Sequence, residues 1–139
     1  MVQVGIVDYG MGNLGSVRNA FEYLGAKTTL VSDSDSLKVA DILVLPGVGA
    51  FGQAMQNLRS MDILDTLNEQ VCERKKPFLG ICLGMQLLAE SSSEHGFHKG
   101  FGWIPGRVCR IERETLRVPH VGWNELNIRP GDPLYDGFK

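Results

Sequence analysis

Apolar and polar residues follow two different periods along this chain. Four short runs are apolar and rich in β-branched residues: QVGIVD (3–8), TTLV (28–31), DILVLP (41–46) and PFLGI (77–81). Runs of this length and type predict buried strands. Between the first two, Leu14, Val17, Phe21 and Leu24 recur every three or four positions. That spacing predicts a helix with one apolar face, and Gly25 follows as its stop. Ala54, Met55, Leu58, Met61, Leu64, Leu67 and Val71 keep the same spacing and predict a second, longer helix. Strands alternating with such helices predict an α/β fold whose mostly parallel sheet is covered on both faces. After about residue 100 the texture changes. RVCRIE and NELNI, around VPHVGW, read as strands and turns of an appended hairpin region. Without repeat, low-complexity tract or linker, residues 1–139 are expected to form one domain.

Parallel strands all point the same way, so the loops leaving their carboxyl ends gather on one edge, where ligands bind in such folds. Three glycine-rich loops follow strands here: YGMGNLG (9–15), PGVGAFG (46–52) and GICLG (80–84). They are expected to converge.

Composition narrows the class of protein. At 43% hydrophobic and 22% charged residues the chain is ordinary for a globular domain, and a net charge of -2 gives no general attraction to nucleic acid or anionic lipid. The opening MVQVGIVDYG has neither a basic region nor an apolar run long enough for a signal peptide or membrane span. The three cysteines form no C-x-x-C pair and their number is odd, which points to reduced thiols and a cytoplasmic setting. No metal site or cofactor is expected.

One of those cysteines carries the chemistry. Gly80-Ile81-Cys82-Leu83-Gly84 has the spacing of a nucleophile elbow, with a thiol in place of a hydroxyl. A turn that sharp crowds its flanks, so the residues two away on either side must be small. The helix predicted over LGMQLLAE would direct its N-terminus at the thiol and favour the thiolate. Attack on a carbonyl then needs oxyanion donors. The Leu83 amide is one candidate, and the PGVG turn is placed to supply a second. Alternatively, Cys82 is a small buried apolar residue beside a tight turn. Cys72 and Cys109 have no comparable setting and read as core or incidental.

A competing motif lies in the first loop. Gly10, Gly12 and Gly15 have G-x-G-x-x-G spacing after a strand and before a helix, and Asp33 stands about 20 residues on, where a ribose-binding acid belongs in a dinucleotide site. The same glycines equally suit a tight turn packing a helix on a sheet. A dinucleotide site also leaves PGVG and GICLG without a purpose.

Taken together, DYGMGNLGSV, LPGVGAFGQAM, PFLGICLGMQLL and PHVGWNEL resemble the glutaminase-subunit family of imidazole glycerol phosphate synthase, a class I (triad) glutamine amidotransferase of histidine biosynthesis. The likeness covers essentially the whole chain, with the motifs in family order. It implies a flavodoxin-like, three-layer open sheet. It also implies that Cys82 forms a glutamyl thioester, that Leu83 and the Gly47-Val48 turn supply the oxyanion amides, and that Gly49, Gln86 and Glu94 hold L-glutamine. In relatives the turn around Val48 reorganises before its N–H faces the site. The implied partner is a cyclase of (β/α)₈-barrel fold that receives the ammonia, with Asn13, His120 and Trp123 at or near the interface. Local roles compete for each: a surface polar pair for Gln86 and Glu94, a helix cap for Asn13, a turn for His120, core for Trp123.

The chain departs from the family at the general base, a histidine followed two residues later by glutamate. His95, His98 and His120 lack that neighbour, and the first two lie in the polar loop SSEHGFHKGFG. The chain is therefore expected to be an N-terminal part of the family domain, truncated and inactive as it stands. A non-catalytic module docking on the cyclase and a nucleotide-binding half-domain are the alternative expectations.

Overall fold

The computed structural model describes residues 2–112 and 118–137. Strands β1 (Gln3–Val7), β2 (Lys27–Val31), β3 (Ile42–Gly47) and β4 (Phe78–Cys82) form a parallel sheet in the order β2-β1-β3-β4. All four lie where the apolar runs place them, within a residue or two. The chain leaves β1 towards β2 on one side and returns to β3 on the other. This makes the β1/β3 boundary the switch point, where loops diverge and open a crevice.

Alternation along the strands sorts the two faces. Val4, Ile6 and Val44 point to one side, where Leu14, Val17 and Phe21 of helix α1 (Leu14–Tyr23) cover them. Val7, Leu43 and Leu45 point to the other, against α2 (Ser34–Val39), α3 (Phe51–Ser60) and α4 (Leu64–Asn68). The result is the three-layer α/β arrangement. The second cluster holds 15 buried residues against three in the first. At about 1.5–3 kcal/mol for each fully buried aliphatic side chain, that face carries most of the hydrophobic stabilisation.

The ends of α1 follow the sequence closely. The Asn13 side chain accepts from the Ser16 amide at 3.2 Å. At the other end Ala26 N donates to Phe21 O (3.1 Å) and Gly25 N to Glu22 O (2.9 Å), with Gly25 at φ +83°. This is a Schellman stop, and it needs the left-handed conformation that glycine adopts without strain.

Three expectations change. The helix predicted over 54–71 is broken into α3, α4 and a π-helical turn, Glu69–Glu73. Between α3 and α4 the chain turns through Asp62 (φ +55°), and Ile63, off the predicted apolar stripe, enters the core at 1% exposure. A straight helix would have left Ile63 in water. The helix predicted over LGMQLLAE is only one turn, α5 (Leu83–Gln86). Its continuation is strand β5 (Ala89–Ser92), which pairs with β6 (His98–Lys99) and β7 (Ile104–Val108) in a second sheet ordered β6-β5-β7. The expected hairpin is absent from the described residues, because β7 pairs in parallel with β5 and residues 124–128 form no strand. Trp103 joins the two sheets, edge-on to Phe78 (5.2 Å) and stacked on Phe101 (4.6 Å), with its indole N–H on Asn68 Oδ1 at 3.1 Å.

Candidate active site

β1, β3 and β4 end at one edge of the large sheet, with Gly47 paired in register to Cys82. The three glycine-rich loops meet there. The Tyr9 hydroxyl donates to the Pro46 carbonyl at 2.9 Å, and Asn57 Nδ2 donates to the Tyr9 carbonyl at 3.0 Å. A methyl group on Gly49 would lie 2.9 Å from Met11 Cε. One on Gly47 would lie 2.9 Å from both Gly84 N and Leu83 Cβ. The loops touch, as their shared edge requires.

Cys82 sits at the turn with φ +54° and ψ −116°, and its side chain is exposed. A non-glycine residue held there costs about 1–3 kcal/mol, so the surrounding structure must impose it. It does so by close packing. A methyl at Gly80 would come 2.7 Å from Met85 Cα, and one at Gly84 would run into the Leu45 carbonyl oxygen. Both flanks of the elbow therefore have room for glycine alone. Leu83 is buried at 2% exposure and anchors the turn. With α5 only one turn long, little macrodipole faces Cys82. What remains is local: the first amides of a helix have no intrahelical acceptor and are free to bind an anion. Beside them Gly47 is buried, Val48 is exposed, and Gly49 has φ +97°.

Gln86 and Glu94 line one cavity of about 410 Å³ together with Ser92, His95, Cys109 and Arg110. Glu94 Oε2 also accepts from Phe51 N, the first amide of α3, at 2.7 Å. This fixes the carboxylate between the cavity and the PGVGAFG loop. Cys109, given no role by the sequence, is exposed on that cavity.

The other expected residues are not drawn into this cluster. Asn13 caps α1. His120 shares a 2.6 Å hydrogen bond with Asn124, and Trp123 is fully exposed rather than core. His98 packs its ring against Gly52, where with His95 it borders a second cavity beside Arg59. Tyr9 was missed. It is buried at 3% exposure, and burial, reinforced by charge on Cys82, pushes its phenol up to about 12. Its signal in the sequence was a lone aromatic in a glycine loop, which by itself has many readings.

The dinucleotide motif does not assemble. A methyl on Gly15 would meet nothing within 4 Å, so this glycine makes no close helix–strand contact. Asp33 accepts from Asp35 N and Ser36 N as the cap of α2, and those hydrogen bonds hold its carboxyl below the usual range. Among the described residues no group of three or more His, Cys, Asp or Glu could hold a metal ion, and no helix is long and apolar enough to cross a membrane.

Comparison with known proteins agrees with this geometry. Residues 5–129 match the family glutamine amidotransferase class-I. The chain is 50% identical over 137 residues to imidazole glycerol phosphate synthase subunit HisH 2 of Vibrio vulnificus, covering 97% of this chain and 64% of the relative. It is 48% identical over 136 residues to subunit HisH 1 of Campylobacter jejuni, covering 97% and 68%. Subunit HisH of Aquifex aeolicus is 46% identical over 135 residues, covering 96% and 64%. The chain thus spans about two-thirds of the length of the curated relatives it matches. Among solved structures, one of Listeria monocytogenes assigned to the peptidase E type superposes with a TM-score of 0.57 at 14% identity, over 65% of this chain and 50% of that one. At that identity the likeness is one of fold.

Proposed function

The chain belongs to the class-I glutamine amidotransferase family, and from that premise we propose that it is the glutaminase subunit of an imidazole glycerol phosphate synthase. Cys82 attacks the side-chain amide of glutamine. The S–C bond forms, the C–N bond breaks, ammonia leaves with an added proton, and water then hydrolyses the thioester to glutamate. The observation that carries this reading is the elbow: an exposed thiol at φ +54° between two glycines whose methylation the backbone forbids. The Leu83 and Val48 amides stabilise the tetrahedral oxyanion. Glu94 and Arg110, on one cavity with Gln86, match the ammonium and carboxylate of an amino-acid substrate.

The ammonia passes to a barrel-fold cyclase in the cytoplasm, and Asn13, His120 and Trp123 are assigned to positions at or near the docking surface. Full exposure of Trp123 supports an anchor role there. In this reading none of His95, His98 and His120 is the general base, because none is followed two residues later by an acid, although His95 lines the cavity with Gln86 and Glu94. His98 is occupied against Gly52, and His120 with Asn124 in the exposed 118–137 segment. Residues 1–139 alone then hydrolyse glutamine slowly, since a nucleophile without its base loses on the order of 10³-fold.

The test is labelling with a diazo-ketone glutamine analogue, mapped by mass spectrometry, with glutamate release measured in the presence of cyclase and its ligand. Adduct at Cys82 supports the assignment, and preferential adduct at Cys72 or Cys109 refutes it. Loss of glutamate release on replacing any one of the three histidines would overturn their exclusion as base.

A further inference from the structure

The Tyr9 hydroxyl reaches the Pro46 carbonyl, the last before the Gly47-Val48 turn. A methyl on Gly47 would lie 2.5 Å from that hydroxyl and 2.9 Å from Gly84 N, so the turn is held between the phenol and the first residues after Cys82. Tyr9 is itself braced from α3. Asn57 Nδ2 donates to its carbonyl at 3.0 Å, and Gln53 Nε2 donates to Asn57 Oδ1 at 2.8 Å. A continuous hydrogen-bonded strut therefore runs from the helix behind the site to the start of the oxyanion turn.

We propose that Tyr9 is a positioning residue for acyl transfer, anchoring Pro46 as the fixed end from which the Gly47-Val48 turn presents its amide to the point addressed by the Leu83 amide. The inference rests on Cys82 as nucleophile. An oxyanion donor works only when it is held on the site where charge develops, and the phenol holds the residue from which the turn departs. With its pKa raised to about 12, the phenol stays a donor across the working range, so it does not serve as the proton acceptor for Cys82.

The experiment separates the oxyanion from the thiol. With the γ-para-nitrophenyl ester of L-glutamate, the Cys82 thiolate forms its S–C bond through a tetrahedral oxyanion. The C–O bond then breaks and nitrophenolate leaves as an anion, so no histidine has to supply a proton. Iodoacetamide alkylates the same thiol at a saturated carbon with loss of iodide, and no oxyanion forms. In Tyr9→Phe the acylation rate at saturating ester should fall about ten-fold, short of the 10²–10³ for losing a donor outright. The half-saturating concentration and the iodoacetamide rate at Cys82 should stay unchanged. Unchanged acylation overturns the proposal, and so does an equal fall with both reagents, which would make Tyr9 a group acting on the thiol. Asn57→Ala keeps the phenol but cuts the strut, and should slow acylation in the same sense by less. If Tyr9→Phe does not fold, normal acylation in Asn57→Ala overturns the proposal. Unmutated protein with no acylation at Cys82 would instead refute the glutaminase reading, and this inference with it.

Discussion

Gly84 and Gly15 both sit near the start of a helix, yet alanine should have opposite effects at the two positions. At Gly84 the new methyl meets the Leu45 carbonyl oxygen and lies 2.8 Å from the carbonyl carbon. Both partners are backbone, so no side chain can swing aside. Either β3 or α5 must shift, and α5 is anchored by Leu83 (2% exposed) with fully buried Leu87 just beyond it. Overpacking commonly costs 1–3 kcal/mol, and backbone against backbone places this case at the upper end, about 3 kcal/mol. That is a fall of roughly 100-fold in the folding equilibrium constant. With a urea slope of about 1.5 kcal/mol/M, the unfolding midpoint should drop by about 2 M. Gly15 lies in the first turn of α1 with open space around it and no positive φ. Gly15→Ala should therefore raise stability by about 0.5–1 kcal/mol through the lower entropy of the unfolded chain. Trp103, packed between Phe78 and Phe101, supplies the fluorescence signal. A Gly84→Ala protein within about 0.5 kcal/mol of the original, or a Gly15→Ala protein less stable than Gly84→Ala, would falsify the steric argument for the elbow.

Further outcomes follow from the same geometry. Cys82→Gly should stabilise the protein by about 1 kcal/mol in urea unfolding, because glycine adopts φ +54° without strain, while labelling by the glutamine analogue at position 82 disappears; a less stable Cys82→Gly would show the elbow to be unstrained. Trp123→Ala should change stability by less than about 0.5 kcal/mol, since its side chain is fully exposed, but should weaken binding to the cyclase by more than about 1 kcal/mol in calorimetry. Tyr9 has a folded pKa raised from 10.0 to about 12, so its contribution is complete below pH 10 and is lost as pH rises through the folded value. The stability advantage over Tyr9→Phe should accordingly shrink between about pH 10 and 12, and a difference flat across that window would contradict the burial of the phenol.

What the sequence determined by itself was local in origin. Each strand of the large sheet is an apolar run legible without knowledge of its neighbours, although only the central β1 and β3 are buried on both faces while the edge strands β2 and β4 stay partly exposed. The Gly25 stop of α1 and the crowding of Gly80 by Met85 likewise follow from the conformation of a few consecutive residues, whereas Gly84 is crowded by the Leu45 carbonyl on β3, a tertiary contact. Cys82 was legible for that reason: the elbow is a steric pattern within five positions. Its substrate-side companions, by contrast, came from likeness to a family, because Gln86 and Glu94 carry no local signature. Only the tertiary structure decided that the 54–71 stripe breaks to bury Ile63, that Leu83–Gln86 is a single turn, and that 104–108 pairs with 89–92. It also decided that Tyr9 reaches Pro46 and Asn57 reaches Tyr9, across 37 and 48 positions of chain. Such contacts depend on which distant surfaces exclude water together. Periodicity measures how one segment would bury itself, and has no term for the partner that folding brings to it.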